Sequence, residues 1–264
     1  MKRYDVVTLF PEMFDAIADS GITRRAIDEK VWELHCWNPR DFVDDNYKTI
    51  DDRPFGGGPG MVMKAEPIAN AIKAAKARQA EFAMEPKVIY LSPQAKPLKD
   101  ADVRRLSSEA GLVFLCGRYE GIDERLVAAQ VDEEISIGDY VLSGGELAAM
   151  VVIDAMLRLL PGVLNDGASA VEDSYSPSRD GLLDHPHYTR PEIWNDNAVP
   201  QVLMSGHHRD IASWRRRMAI ERTWLRRPEL LAELLAKAAL TPQELKWLDE
   251  IRASNKILSV VSRK

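Results

Sequence analysis

The stretch VFLCGRYEGIDERLVAAQVDEEISIGDYVLSGGE, residues 113–146, decides how the chain folds. Leu112 through Cys116 is a short unbroken apolar run, the pattern of a buried strand. Gly117, Arg118, Tyr119, Glu120 and Gly121 follow it directly. A second apolar pair, Ile135 and Ile137, ends in Gly138, and Ser143-Gly144-Gly145 comes five residues later. Glycines placed just after buried strands let a flat, nucleotide-like group approach bare main chain. The same residues also suit plain turns. Two such clusters at the ends of successive strands favour a ligand. No G-x-G-x-x-G opens a helix here and no G-x-x-x-x-G-K-[ST] occurs, so the stretch is neither a dinucleotide fingerprint nor a phosphate loop.

Strand and helix alternate outward from this stretch. Tyr4–Phe10, Val31–Trp37, Lys87–Leu91, Leu112–Cys116 and Glu134–Ile137 read as strands. Helices are expected over Pro11–Ser20, Thr23–Glu29, Glu66–Met84, residues 98–110, Ile122–Gln130 and Gly145–Leu160. This spacing predicts an α/β fold with a parallel sheet covered on both faces over residues 1–160. Ligands of such sheets bind beyond the carboxyl ends of the strands, where Ser92-Pro93, Gly117 and Gly138 all fall. Residues 38–63 lack periodicity, and Asp51–Gly60 is a loop by composition, substrate-facing or merely flexible. Residues 161–180, PGVLNDGASAVEDSYSPSRD, read as a flexible linker between domains. Residues 181–264 form a small, mostly α-helical domain, beginning near Glu192–Trp194 and including Pro228–Ala239 and Thr241–Arg252. Thr241-Pro242-x-Glu244 is a capping box, and the tail after Ser254 is expected to fray.

The 264 residues suffice for a large core, and 45% hydrophobic with 29% charged content is ordinary for a globular protein. The first residues are no signal peptide, because Asp5 and Pro11 interrupt a short apolar run. The longest apolar stretch, 147–160, holds Asp154 and Arg158 and is too short to span a bilayer. Cys36 and Cys116 read as reduced core thiols of a cytoplasmic protein. The net charge of −6 is unevenly spread. Residues 201–227 hold seven Arg against Asp210 and Glu221, which suits RNA binding by one face and equally a solvated helix.

Metal-ligating and nucleophilic patterns are weak. His185-Pro186-His187 and His207-His208 lack a recognised ligand spacing, no H-E-x-x-H occurs, and no metal site is assigned. A magnesium requirement is not readable from these residues. No G-x-S-x-G elbow is present. Asp123 and Glu124 suit the start of a helix, whose dipole favours acids. Glu120, inside the glycine cluster, could attract a cationic ligand.

GRYEGIDER followed by SIGDYVLSGGE, with DDRPFGGGPGMVMK at 51–64 and GLLDHPHYTRPE at 181–192, resembles the bacterial tRNA (guanine-N1)-methyltransferase family, TrmD. The likeness runs from Leu9 to about Trp224. It implies the knotted SPOUT class, with a deep C-terminal trefoil knot in the sheet domain, and S-adenosyl-L-methionine as methyl donor. It assigns the donor pocket to Tyr90, Leu91, Ser92, Pro93, Gly117, Tyr119, Glu120, Gly121, Ser136, Ile137, Gly138, Asp139, Tyr140, Val141, Leu142, Gly144 and Gly145. It implies Asp173 as general base and Arg158 as catalytic arginine, and tRNA contacts at Arg118, Trp214, Arg215, Arg216 and Arg217. The substrate would be N1 of the guanine 3′ of the anticodon, bound through the anticodon stem-loop by a homodimer with its active site at the subunit interface. Ser174–Gly181 is longer than the usual link to Leu182-Leu183, which puts the path of that segment in question. Two other readings stand beside this one: a knotted methyltransferase acting on ribose oxygen, and a non-catalytic RNA-binding module with a vestigial pocket.

Overall fold

The computed structural model describes residues 1–165 and 172–261, with side chains given through Ser254. The chain divides into two compact units, Met1–Gly167 and Ala168–Lys264.

The first unit is built on five parallel strands. They are β1 (Lys2–Val7), β2 (Trp32–Trp37), β5 (Lys87–Leu91), β6 (Gly111–Cys116) and β7 (Glu133–Ile135), in the spatial order β2-β1-β6-β5-β7. A two-stranded piece, β3 (Asp51–Asp52) with β4 (Val62–Met63), closes the glycine-rich loop between them. β6 lies at the centre and is buried at every position, which is why its sequence is apolar without alternation. Leu112, Phe114 and Cys116 join the core on one face with Tyr4, Trp32 and Ile89. Val113 and Leu115 join that on the other face with Val88, Ile68 and Ile72.

Helices cover both faces, as the alternating pattern requires. α1 (Asp15–Ala18), α2 (Gly21–Asp28), α4 (Asp100–Ser108) and α6 (Glu146–Leu157) are joined by α3 (Ala65–Ala80) and α5 (Glu124–Gln130). Ala149, Val152, Ile153, Met156 and Leu157 of α6 sit in the first core. α3 and α5 supply Ile68, Ala71, Ile72, Ala75, Leu126 and Val127 to the second. The Asp123 carboxylate caps α5 by accepting from the Arg125 amide at 3.0 Å.

Several boundaries differ from the sequence expectation. The expected helix Pro11–Ser20 is a 3₁₀ turn, Pro11–Phe14, followed by the four-residue α1. β1 ends at Val7; Thr8 N still donates to Trp37 O at 3.0 Å, and the Thr8 hydroxyl accepts from the Phe10 amide at 3.0 Å. Thr8 also donates to Glu146.

The second unit is mostly helical: α7 (Gln201–Met204), α8 (His208–Arg226), α9 (Pro228–Ala236) and α10 (Pro242–Val261). Leu182, Ala219, Ile220, Leu231, Leu234 and Leu248 make its core. The capping box at Thr241 is formed, with Thr241 N donating to Glu244 Oε2 at 2.7 Å and Glu244 N to Thr241 Oγ1 at 3.3 Å. The region that opens at Glu192 is not helical. Ile193–Trp194 (β8) and Asn197–Ala198 (β9) form a hairpin. Its turn residues, Asn195 and Asp196, both take positive φ, at 47° and 61°. Of the stretch read as a linker, residues 172–180 belong to this unit. Ser176 is buried, and Tyr175 N donates to Leu182 O at 3.0 Å. Residues 166–171 lie outside those described.

Candidate active site

Three strand ends meet in one pocket of the first unit. Its walls are Tyr90–Gln94 after β5, Gly117–Gly121 after β6, and Ile135–Gly145 after β7, with Ala148 of α6 behind. Asp139 excepted, every residue assigned to the donor pocket from sequence lines it. Gln94, Ser143, Ala148 and Arg118 line it as well. Gln94 and Ala148 carry no motif that would have marked them. Ser143 stands inside the glycine cluster and could have been read with its neighbours.

Local chemistry shapes each wall. After β6 the chain turns back at once, Gly121 N donating to Arg118 O at 3.1 Å. Tyr119 accepts a left-handed conformation there, φ 59°, an uncommon state for a residue with a side chain. After β7, Ser136 is buried and its hydroxyl donates to Gly138 O at 3.0 Å. At Gly138, φ is 153° and a Cβ would strike the Tyr140 ring, so a side chain there is strained and displaces Tyr140. A Cβ on Gly145 would lie 2.9 Å from Cys116 Cα, so bare backbone packs on bare backbone, and Gly145 N donates to Gly117 O at 2.9 Å. Part of the glycine pattern therefore serves the protein's own chain. Gly117 leaves room for the Tyr90 hydroxyl, which would sit 2.8 Å from its Cβ. Burial, reinforced by Glu134 and Glu124, pushes the Tyr90 phenol up to about 12. Burial likewise holds the Cys116 thiol well above its usual range, with Glu146 adding to the effect.

The glycine-rich loop is stitched to the same wall. Glu120 N donates to Met61 O and Met63 N to Gly121 O, both at 2.9 Å, and Asp123 N donates to Met63 O at 3.1 Å. At Gly60, φ is 79° and a Cβ would meet the Glu120 side chain. Phe55, at the loop's tip, is fully exposed.

Arg118 points into the protein. Its Nε donates to Glu146 Oε2 at 2.9 Å, its Nη1 to Ser143 O at 3.2 Å, and its guanidinium lies 4.4 Å from the Phe10 ring centre. Arg158 is the C-cap of α6 and half-buried, with its amide donating to Asp154 O at 3.1 Å. In the second unit, Asp173 is half-buried in a turn where its carbonyl accepts from Ser176 N at 3.2 Å. The arginine run of α8 has mixed surroundings. Arg215 is exposed. Arg216 bonds Glu244 at 2.5 Å and Asp180 at 2.7 Å, and Arg217 pairs with Glu250 at 3.1 Å. Trp214 is half-buried, with the His185 ring edge-on at 6.3 Å and Tyr188 at 6.2 Å.

Among the described residues, Asp184, His185 and His187 are the one group whose ligating atoms converge. Asp184 bonds His185 Nδ1 and His187 Nε2 at 2.6 Å each, and Arg179 holds the same carboxylate at 3.0 Å. A guanidinium on the shared oxygen opposes a metal cation there, and the three form a hydrogen-bonded cluster.

A parallel α/β unit with a pocket at three strand ends is thus followed in the chain by an arginine-rich helical unit. The family profile for tRNA (guanine-1)-methyltransferase TrmD matches residues 1–233. The chain is 58% identical over 256 residues to a tRNA (guanine-N(1)-)-methyltransferase of Chromobacterium violaceum, covering 97% of this chain and 98% of that one. It is 56% identical over 250 residues to a protein of the same name from Pasteurella multocida, covering 95% and 98%. The chain belongs to the TrmD family of tRNA (guanine-1)-methyltransferases.

Proposed function

We propose that this methyltransferase uses S-adenosyl-L-methionine to methylate N1 of the guanine 3′ of the tRNA anticodon, working in the cytoplasm as a homodimer. The observation that carries this reading is the convergence of three strand ends on one pocket, with glycines at 117, 121, 138, 144 and 145 among its lining residues. The residues present fit the donor. Gly117, Gly121 and Gly138 in the lining let a flat adenosine approach the main chain, and the Glu120 carboxylate lies in the wall to attract a sulfonium. The bound donor supplies an electrophilic methyl group.

The chain's own residues do the rest. Asp173 takes the proton from N1 as the nitrogen becomes nucleophilic. Arg158 faces the charge that develops on the neighbouring carbonyl oxygen. Exposed arginines of α8, such as Arg215 and Arg226, meet tRNA phosphates, with Trp214 beside them. The order of residues 92–98 against Ser136 supports a trefoil knot. Leu98 N donates to Ser136 O at 2.8 Å and Ser136 N to Lys96 O at 3.2 Å, while 143–145 pairs back with 117–118. Leu147 and Val151, one turn apart on α6, are about half exposed, and this apolar face supports a second subunit. No helix among the described residues is long and apolar enough to cross a membrane.

The test is methyl transfer from labelled donor to tRNA transcripts carrying guanine or another base at that position. Guanine-only labelling at N1 is expected. Labelling at a ribose oxygen, or none, would overturn the assignment.

A further inference from the structure

Glu146 is a carboxylate with no solvent exposure, placed at the first position of α6 and outside the pocket. Its Oε1 accepts from Thr8 Oγ1 and its Oε2 from Arg118 Nε, both at 2.9 Å. Burying an ion pair commonly brings no net stability against an apolar pair of equal size. The helix start favours an acid there, but any first-turn acid in water would serve that end. The pair's location is more informative. Arg118 stands two residues after β6 and lines the pocket, and its Nη1 holds Ser143 O on the adjoining wall, where Gly145 N also donates to Gly117 O. The pair passes over Gly144, where a Cβ would run into both side chains. Thr8, fixed at the end of β1, holds the far end of the chain of bonds.

We propose that Thr8, Glu146 and Arg118 act as positioning residues that set the distance between the 117–121 and 143–145 walls, and so the fit of the methyl donor. The proposal rests on the donor-pocket reading above. It assigns Arg118 to the donor side of the reaction and not to tRNA.

The test uses full-length protein and three variants: Glu146→Gln, Thr8→Val, and the double change Arg118→Met with Glu146→Leu. Donor affinity is measured by calorimetry with S-adenosylmethionine, the two KM values and kcat by methyl transfer, and folding by thermal melting. Glu146→Gln is expected to weaken donor binding by at least about tenfold, the scale of one charge-assisted hydrogen bond. Its KM for tRNA should stay within ~2-fold of the parent. Thr8→Val should show the same effect at about 2–5-fold, because it removes the hydroxyl's bonds to Glu146 and Phe10 but leaves the Arg118–Glu146 pair in place. The apolar double variant should melt at or above the parent temperature yet bind donor as weakly as Glu146→Gln. A merely structural pair would leave donor affinity of the folded protein unchanged in that variant, and this result overturns the proposal. A rise in KM for tRNA with donor affinity intact also overturns it and makes Arg118 an RNA contact. If Glu146→Gln does not fold, the other two variants decide. Photolabelling of the parent with radiolabelled donor separates the two readings. Label absent from peptides covering 117–121 and 136–145 removes the pocket and the proposal together. Label present there, with unchanged affinities in the variants, removes the positioning role alone.

Discussion

The Gln79 carboxamide occupies the place that a side chain on Gly111 would take. Its Oε1 stands where a Cβ would be built, while Nε2 donates to Asp5 Oδ2 at 2.7 Å and to Leu112 O at 3.0 Å. Gln79 is fully buried, so it cannot move aside without giving up its bonds to Asp5 and to a strand carbonyl. Gly111→Ala is therefore expected to destabilise the first unit by about 1–3 kcal/mol, as overpacking plus a lost buried hydrogen bond. Chemical denaturation checks it, and a midpoint equal to the parent's would show that Gln79 can move freely.

Donor binding should respond to the glycines that end β6 and open the 138–145 segment. A valine at 117 meets the Tyr90 hydroxyl, and one at 138 meets the Tyr140 ring in a backbone state unsuited to it. Both variants are expected to stay folded at a cost of about 1–3 kcal/mol and to lose donor affinity. Unchanged calorimetric affinity in both would move the pocket elsewhere.

Asp173→Asn keeps the side chain's size and removes the proposed base. Turnover should fall by about 10²–10⁴-fold with donor and tRNA affinities nearly intact. Mixing it with Gly138→Val protein tests whether the base acts across a dimer. Activity should reappear in the mixture, because one site of each heterodimer then has a sound pocket and a sound aspartate. A mixture that stays dead places base and pocket in the same subunit.

The arginines of α8 should separate into two groups. Replacing exposed Arg215 and Arg226 by Ala should weaken tRNA binding and lower the log–log salt slope by roughly 0.7–0.9 per lost contact. Arg216→Ala should instead lower the stability of the second unit by about 1.5–3 kcal/mol, because Glu244, largely buried, loses its cation. Equal salt slopes before and after the first change would make that face an ordinary solvated surface.

Stability of the second unit should fall as the pH drops below about 6.5. Burial lowers the His185 pKa, aided by His187 and Arg179, and Asp184 only partly offsets this. The folded state thus prefers neutral His185, the unfolded chain binds the proton first, and stability is lost as pH falls toward the folded pKa. The slope should approach about 1.4 kcal/mol per pH unit at most. Asp184 acts in a lower window. Burial raises its pKa, but His187, the His185 amide and Arg179 more than compensate and lower it, so its contribution disappears only below about pH 4. Denaturation of His185→Gln between pH 5 and 8 should lose the upper dependence, and a parallel profile would assign it to another group.

The sheet was legible because β6 needs apolar residues on both faces and the sequence supplies them without a break. The pocket was legible because strand ends and glycines coincide. What escaped was long-range or a matter of surroundings. Nothing near Gly144 announces that an ion pair between residues 118 and 146 crosses it. Three consecutive arginines look alike in sequence, yet Arg216 is enclosed by Glu244 and Asp180 while Arg215 is exposed. The Asn195-Asp196 turn did carry a local signal, two residues tolerant of positive φ between short apolar segments, and the helical pattern that follows masked it.

The stitching of Met61–Met63 to Glu120–Asp123 has a consequence for protein engineering. The exposed 51–60 loop looks like a replaceable cassette, but its root is a backbone seam with the pocket wall, and Gly60 is shaped around Glu120. A chimera that exchanges the loop alone joins a foreign edge to this seam. Segments 51–63 and 117–123, more than fifty residues apart in the chain, are one inheritable block and have to be transplanted together.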